Sequence, residues 1–246
     1  MTTLHTTPPA KPARTCRTWE RRKEHRPSEL LDAAAEVFVA RGYAAARLDD
    51  VAARAGVSKG TLYLYYAGKE DLFKAVVRLK FVPLIEEFRT RVEQATGSSE
   101  ELLTEVLEGW WHCFSQPAIS GIIKLIVSEA GNFPEIARFF NDEVASVSHN
   151  IIRQLLQRGV ERQEFHTPPD LDVAVHLLIS PMVMKLIWDH SVGQCADPMV
   201  TPHNFIRHHT ALVLMTLRRP DAPAVPPRPA GERPFSPCAP RQPDSP

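Results

Sequence analysis

The sequence predicts an all-α protein made of a small three-helix unit near the N-terminus and a larger helical body. Apolar residues recur at the spacing of three and four that places them on one face of a helix. No stretch alternates between apolar and polar residues as a half-buried strand does. Glycine and proline stand at the ends of the periodic segments, where they stop or start helices. With 246 residues, 43% of them hydrophobic, the chain is long enough to bury a sizeable core.

Composition divides the chain into four parts. Residues 1–26 are rich in Thr, Pro and Arg and nearly free of aliphatic residues, which predicts a disordered basic arm. Residues 220–246 contain ten prolines and predict a disordered tail. Between them we expect the three-helix unit at residues 27–75 and a helical domain at residues 76–219.

Turn and capping residues set the order of the helices. Gly42, Gly56 and Gly68 each end a periodic segment, and Ser58 and Asp170 are placed to cap the helices that follow them. The expected helices cover about residues 28–41, 48–55, 59–65, 69–83, 84–95, 100–115, 117–131, 134–162, 170–190 and 202–219.

The net charge of zero conceals an uneven distribution. Residues 1–80 contain 15 Lys and Arg against 9 Asp and Glu, a net charge of +6, whereas residues 81–219 contain 11 against 17, a net charge of −6. A basic first third on an acidic body indicates that only the first third contacts a polyanion. The chain starts without the apolar core of a signal peptide, and no apolar run approaches the roughly 18 residues that cross a membrane. We therefore expect a cytoplasmic protein with no membrane partner.

Residues 47–66, RLDDVAARAGVSKGTLYLYY, predict a helix-turn-helix. Val51 and Ala52 belong to an apolar face of the second helix, Leu62 faces back from the third, and Gly56 permits the sharp turn between them. The third helix is too short to be a core element. Its other face carries a lysine, small residues and a tyrosine, which suits a helix that reads the DNA major groove.

This region resembles the TetR (tetracycline repressor) family of bacterial regulators over residues 29–73, ELLDAAAEVFVARGYAAARLDDVAARAGVSKGTLYLYYAGKEDLF. The resemblance implies that Thr61 and Leu64 approach bases and that Tyr63 and Lys69 hold phosphates. Relatives commonly have Ser or Thr where this chain has Ala46-Arg47, so we expect Arg47 to supply the phosphate contact instead. The expected DNA-binding residues are Arg47, Ser58, Lys59, Gly60, Thr61, Tyr63, Leu64 and Lys69.

The body is expected to dimerise, because a helix-turn-helix dimer reads two half-sites of double-stranded DNA. Residues 122–140 resemble the C-terminal domain of a proteobacterial TetR subgroup. The resemblance implies a four-helix bundle formed by the helices at about 134–162 and 202–219 of two copies. The candidate interface residues, each of which would also suit the core of one copy, are Val147, Ile151, Leu155, Phe205, Leu212 and Met215.

A pocket for a small-molecule effector is expected among the middle helices, where large apolar side chains cluster. The candidate lining residues, for which plain core packing is the alternative, are Trp110, Trp111, Phe114, Ile126, Phe133, Met182 and Trp188. We expect no cofactor. We also expect no metal site, because the neighbouring His208 and His209 point to different faces of a helix and no carboxylate joins them at ligand spacing.

These observations predict a homodimeric, ligand-responsive repressor that binds a palindromic operator and is released by an effector. It would act in the bacterial cytoplasm and associate with the nucleoid when bound to its operator. The alternatives within this class are an activator and a regulator without an effector. A nonspecific DNA-binding protein and an all-helical enzyme are the alternatives from other classes. Because the sequence contains no nucleophile elbow, Gly-rich phosphate loop or HExxH motif, we expect no enzymatic activity.

Overall fold

A computed structural model of the chain describes residues 17–195, residues 200–222 and Pro237, with residues 17–26 and Gln194 described by their backbone alone. This part of the chain is helical, which confirms the all-α prediction, and its isolated β-bridge joins Phe165 and Arg218. The helices are α1 (Arg17–Ala45), α2 (Leu48–Arg54), α3 (Lys59–Tyr65), α4 (Lys69–Glu93), α5 (Ser99–Phe114), α6 (Pro117–Glu129), α7 (Pro134–Phe140), α8 (Ser146–Glu161), α9 (Leu171–Asp189) and α10 (Pro202–Leu217).

Helix α1 begins earlier than predicted, at Arg17, so the second half of the expected disordered arm is helical. Arg, Lys and Glu supply most of residues 17–24, and all three have high helix propensity. Gly42, with φ of +78°, interrupts the helix at the predicted place. The rest of the expected arm, residues 1–16, and the expected tail beyond residue 222 lie outside the described residues, apart from Pro237.

Helix α4 is continuous through Pro83, where two helices were predicted. Proline lacks the N–H that would bond to the carbonyl of Leu79. Pro83 is exposed and Leu79 is 37% exposed, so this carbonyl lies on the water side of the helix. On the opposite face Phe81, Ile85 and Phe88 are buried, and their packing holds both halves in one helix.

A π-helical stretch at Asn141–Ala145 interrupts the long helix predicted over residues 134–162. The π-helical stretch connects α7 directly to α8, with no loop between them. A π-helical turn contains an extra residue and so rotates the side chains that follow it around the helix axis. Hydrophobic spacing alone does not reveal such a turn, because Val144 within it is still buried.

Helix α4 lies at the centre of the molecule and connects its two parts. It packs against α1 in the N-terminal unit and against α5, α6, α7 and α8 in the body. Helix α6 also packs directly on α1, α9 packs on α6 and α8, and α10 packs on α5. The N-terminal unit therefore contacts the body through two helices, α4 and α6.

No segment long and apolar enough to cross a membrane was predicted, and helix α9 departs from this prediction. Among the described residues, this 19-residue helix meets that criterion, although only 28% of its most apolar stretch is buried. The helix contains no long uninterrupted apolar run, because Asp172, His176 and Lys185 lie within it. It is nevertheless apolar on average. Because length and composition are shared by many helices of soluble proteins, the helix is better explained by what its faces contact.

Candidate DNA-binding surface and effector cavity

The turn between α2 and α3 fixes the angle between these two helices. Gly56 has φ of +65°, a left-handed conformation that glycine adopts without strain. Val51 and Ala52 of α2 and Leu62 of α3 are 1%, 4% and 0% exposed, so the helices pack closely at this turn. The opposite face of α3 is consequently directed to solvent.

The exposed face of α3 carries the candidate base contacts. Ser58 caps the helix as predicted, since its Oγ accepts a hydrogen bond of 3.1 Å from Thr61 N and lies 2.8 Å from Thr61 Oγ1. Tyr63 is 47% exposed and Leu64 is 84% exposed, whereas Thr61 is partly buried. Leu64 therefore presents the most open apolar side chain of this helix to a partner.

Carboxylates neutralise cations on the surface of the N-terminal unit. The described side chains of α1–α3 form the ion pairs Lys59–Asp49, Arg54–Glu36 and Arg41–Asp50. Lys59 Nζ lies 2.7 Å from Asp49 Oδ1, and the hydrogen bond to this carboxylate raises the pKa of Lys59. Exposed pairs of this kind contribute little to the stability of the fold.

Arg47 and Lys69, both candidate phosphate contacts, differ in their availability. Arg47 is the exposed N-cap residue of α2 and makes no side-chain capping bond. Lys69 Nζ donates to the carbonyl oxygens of Tyr43 and Ala44 at 2.9 and 3.0 Å and lies 4.7 Å from the centroid of the Tyr43 ring. Because an ammonium has three donors, one N–H of Lys69 remains for a phosphate oxygen.

An aromatic cluster behind this surface joins the N-terminal unit to the body. The Tyr43 ring lies 5.3 Å from that of Phe73 and 4.8 Å from that of Phe133, measured between centroids. Burial raises the pKa of Tyr43 to about 12, so its hydroxyl stays protonated. Phe133 was predicted to line the effector pocket. The structure instead places it in this cluster, because the loop before α7 folds back onto α1.

The body contains an apolar cavity between α4, α5, α8 and α9. Its volume is about 20 Å³, room for about one water molecule, so a small molecule could enter only if the walls moved apart. Among the described residues no charged side chain lines it, and Ser148 supplies a hydroxyl. Its lining consists of Ile85, Phe88, Val106, Leu107, Trp110, Phe114, Ser148, Ile151, Ile152, Ile179 and Met182.

Three of the residues predicted for the pocket, Trp110, Phe114 and Met182, line this cavity. The rings of Trp110 and Phe114 stack with their centroids 4.5 Å apart. They stand four residues apart on α5 and so share one face of the helix. The sequence therefore identified the aromatic wall of the cavity.

The remaining predicted pocket residues lie elsewhere. Trp111 is directed to the neighbouring face of α5, where its ring lies 5.3 Å from that of Phe205. Ile126 is buried in α6, which does not contribute to the cavity lining. Trp188 is 51% exposed at the end of α9. The size and apolarity of a side chain do not show which helix face it occupies, and the fold distributes these residues over several faces.

The cavity residues missed from the sequence include Ile85 and Phe88 of α4. Their spacing of three residues was a usable signal, because it continues the apolar face of a helix. The expected helix end near Pro83 separates these two residues from the N-terminal half of α4, which conceals the continuous face. Val106 and Leu107 of α5 and Ile179 of α9 carry no signal that distinguishes a cavity wall from ordinary core.

The predicted dimer interface needs correction on its first helix. Ile151 and Leu155 are 4% and 0% exposed within a single copy of the chain, and Ile151 lines the cavity. Val147 is partly buried against the core. Ile151 and Leu155 are therefore unavailable to a second copy, because α8 turns its apolar stripe toward α4 and α5.

On the last helix, Leu212 and Met215 are 62% and 77% exposed, whereas Phe205 packs against the core. Leu212 lines a groove of about 490 Å³ together with Leu177 of α9. The groove belongs to an exposed apolar face on two helices. We call this the α9–α10 face, and it consists of Val173, Leu177, Met184, Trp188, Leu212 and Met215.

Two family models match consecutive parts of the chain. The model described as bacterial regulatory proteins of the tetR family matches residues 30–76, which contain α2, α3 and the cap of α3. The model described as the C-terminal domain of tetracyclin repressor-like proteins matches residues 93–195, which contain most of the cavity lining. The chain belongs to the TetR family. It is therefore a transcriptional regulator with a DNA-binding helix-turn-helix.

Curated relatives of this TetR-family chain are transcriptional regulators. The transcriptional activator FasR of Mycolicibacterium smegmatis is 39% identical over 84 residues, and the match spans 34% of this chain and 38% of FasR. The transcriptional repressor KstR2 of Rhodococcus jostii is 25% identical over 202 residues, a match that spans 80% of this chain and 94% of KstR2. The relatives thus include both directions of control.

The fold is also that of solved TetR-family structures. The regulator FadR of Bacillus subtilis, solved in complex with stearoyl-CoA, superposes with a TM-score of 0.65 at 19% sequence identity. The superposition covers 77% of this chain and 97% of FadR. At this identity the likeness establishes a common fold.

Proposed function

We propose that this chain is a homodimeric repressor that binds a palindromic operator and is released from it by a largely apolar small molecule. It would act in the bacterial cytoplasm, on the nucleoid. The observation that carries the proposal is the apolar lining between α4, α5, α8 and α9, because α4 connects it to the DNA-binding surface. Ile85 and Phe88 of α4 line the cavity, and the same helix begins at Lys69, next to α3.

A ligand in the cavity would act by shifting the position of α4. A ligand that binds one arrangement of a protein better than another shifts the population toward the first. Since α4 passes from the cavity to the carbonyls of Tyr43 and Ala44 through Lys69, its displacement moves the N-terminal unit of each copy. The two recognition helices would then no longer match successive major grooves, and the operator would be released.

The effector we propose has a long or bulky apolar portion. The cavity offers no charged side chain to pair with an ionic ligand, and desolvating an unpaired charge there would be costly. The bound stearoyl-CoA of Bacillus subtilis FadR, a protein of the same fold, makes a long-chain acyl thioester a reasonable first probe. Its acyl chain would enter by moving the apolar walls apart, which is the displacement of α4 proposed above, and Ser148 would provide a hydrogen bond at one wall.

The α9–α10 face supports dimerisation. Its six apolar side chains are 51–77% exposed in a single copy, and contiguous apolar surface of this kind marks interaction sites. The face involves both α9 and α10, so two copies related by a two-fold axis would form a four-helix bundle from these helices. We therefore move the proposed interface from α8 to α9 and retain Leu212 and Met215.

In vitro selection of bound sequences from a random DNA pool tests the operator proposal. We expect enrichment of one palindrome with half-sites about one helical turn apart. Titration of stearoyl-CoA onto the complex, followed by fluorescence anisotropy, should then release the DNA. Enrichment of no sequence would favour a nonspecific DNA-binding protein. Retained binding over a series of apolar ligands would favour a regulator without an effector.

The variant Ile179→Phe tests the cavity itself. Ile179 is partly buried at the cavity wall, so a larger side chain fills the cavity and should abolish release while leaving operator affinity unchanged. Val127→Phe, at a 54% exposed position of α6, is the matched control and should respond to the ligand normally. If the same ligand concentration releases the Ile179→Phe variant from the operator, the effector binds at another site.

Substitutions on α3 and α4 distinguish readout from phosphate contact. Replacing Thr61 or Leu64 should change the preferred sequence, with Leu64 contacting a thymine methyl. Replacing Arg47, Tyr63 or Lys69 by Ala should weaken binding to all sequences and reduce its salt dependence. Ser58, Lys59 and Gly60 would position the start of α3 against the DNA.

An activator is the second candidate, because FasR, which matches the DNA-binding part at 39% identity, is an activator. A reporter gene behind the selected operator decides between the two. Deletion of the regulator should raise expression if it is a repressor and lower expression if it is an activator.

A further inference from the structure

Lys59 is the first residue of the recognition helix α3, and the structure ties it to α2. Its Nζ lies 2.7 Å from Asp49 Oδ1 and donates a 3.0 Å hydrogen bond to Oδ2 of the same carboxylate. The two side chains are 58% and 60% exposed, so neither contributes to the core. The pair therefore lies on the surface that meets DNA and has no evident part in folding.

A free ammonium at this position would bind any DNA. Contacts between lysine and phosphate raise affinity without regard to sequence, and they supply most of nonspecific binding. A regulator gains from suppressing such contacts because nonspecific sites outnumber its operator greatly. A carboxylate that pairs with the ammonium lowers the affinity for nonspecific DNA. It does not change the groups that read bases.

We propose that Asp49 is a specificity-determining residue that holds Lys59 and thereby weakens binding to DNA outside the operator. The proposal rests on the operator-binding function proposed above and concerns the same surface. On arbitrary DNA, a phosphate must displace Asp49 to reach Lys59. On the operator, the base contacts of Thr61 and Leu64 seat α3 in the groove, and this seating drives the exchange of Asp49 for a DNA acceptor.

The test compares Asp49→Asn with the unchanged protein on the selected operator and on a scrambled duplex over a range of salt concentrations. An exposed ion pair changes an equilibrium by up to about five-fold, so affinity for the scrambled duplex should rise by about two- to five-fold. The logarithmic salt dependence should steepen by about 0.9, which corresponds to one additional phosphate contact. Operator affinity should change less, so the ratio of the two affinities should fall.

Two further variants isolate the role of Lys59. Asp32→Asn is the control, because it also removes one negative charge from an exposed carboxylate in an ion pair, that of Asp32 with the partly buried Lys80 on α4. It should leave the salt dependence unchanged. In the double variant Asp49→Asn/Lys59→Gln, the gain in affinity for scrambled DNA should disappear, because Asp49 is expected to act through Lys59.

Equal effects of Asp49→Asn and Asp32→Asn would overturn the proposal in favour of overall charge. A gain that persists in the double variant would also overturn it, since Asp49 would then act by repelling DNA directly. If the unchanged protein selects no preferred sequence, the proposed operator function fails. The scrambled duplex still tests in that case whether Asp49 restrains Lys59. Failure of the operator proposal and failure of the Asp49 proposal are therefore distinguishable.

Discussion

At the residue scale, two leucines of α3 that stand two positions apart have opposite environments: one packs in the core and the other faces solvent. Leu62 is fully buried and Leu64 is 84% exposed, because successive residues of a helix are rotated by about 100° and these two lie on nearly opposite faces. We expect Leu62→Ala to lower the free energy of unfolding by about 2–5 kcal/mol and Leu64→Ala to change it by less than about 0.5 kcal/mol. Urea titration of both variants checks this. Equal losses would mean that Leu64 packs against the protein.

Thr210 is a second residue at which burial and polarity conflict. Its side chain is 3% exposed, and within the described part of the chain its hydroxyl has no hydrogen-bond partner. Because a buried hydroxyl without a partner is destabilising, we expect Thr210→Val to raise the free energy of unfolding by about 1 kcal/mol. Thr210→Ser keeps the hydroxyl and should not stabilise. A loss of stability in Thr210→Val would indicate that the hydroxyl is bonded in solution.

At the element scale, the crossing of α6 over α1 depends on a glycine. A Cβ atom added to Gly121 would lie 2.6 Å from Cγ1 of Val39, which is closer than side chains tolerate. We expect Gly121→Ala to cost about 1–3 kcal/mol of stability by forcing the helices apart. Thermal unfolding of the purified variant measures the loss.

Two variants make this prediction specific to the crossing. Val39→Ala in the Gly121→Ala background removes the opposing methyl groups and should restore most of the stability. Gly131→Ala is the control, because a Cβ atom there would meet nothing within 4 Å. If Gly131→Ala destabilises as much as Gly121→Ala, the effect is not one of helix packing.

At the scale of the whole molecule, the α9–α10 face predicts the oligomeric state. We expect Leu177→Glu combined with Met215→Glu to give a monomer, because burying two unpaired carboxylates in an apolar interface is strongly unfavourable. The monomer should bind the operator much more weakly, since it can occupy only one half-site at a time. Sedimentation velocity and anisotropy measure these two properties. Val127→Glu on α6 is the exposed control and should remain dimeric.

Three partly buried histidines predict how stability depends on pH. Burial lowers the pKa of His149, His190 and His209 below the ordinary value of 6.5. The folded protein therefore binds fewer protons than the unfolded chain at mildly acidic pH, and stability should fall as the pH falls through about 6.5 and below. Urea unfolding at pH 7.5 and 5.5 measures this loss.

His209→Gln should reduce the pH dependence of stability. The neutral amide can still donate to the carbonyl of Leu178, which His209 Nε2 contacts at 2.9 Å, but it does not titrate. Its stability should therefore change less between pH 7.5 and 5.5 than that of the unchanged protein. An unaltered difference would mean that His209 takes up no proton on unfolding in this range.

Residues that lie close together in the sequence determined much of the secondary structure of this protein. The apolar faces of α2 and α3, the turn at Gly56 and the cap at Ser58 depend on residues within a few positions of one another, and they could be predicted from the sequence. The family resemblance followed from the same residues. Trp110 and Phe114 could be placed together because residues four apart share a helix face.

Tertiary structure alone decided which face of each helix the core covers. Pro83 stays within α4 because packing on its far side outweighs one missing hydrogen bond. Ile151 lines a cavity and Leu177 is exposed, although both are aliphatic residues of apolar helices, because α8 turns its stripe toward α4 whereas α9 leaves one face uncovered. The hold of Asp49 on Lys59 likewise depends on the angle between two helices, and residue spacing does not encode that angle.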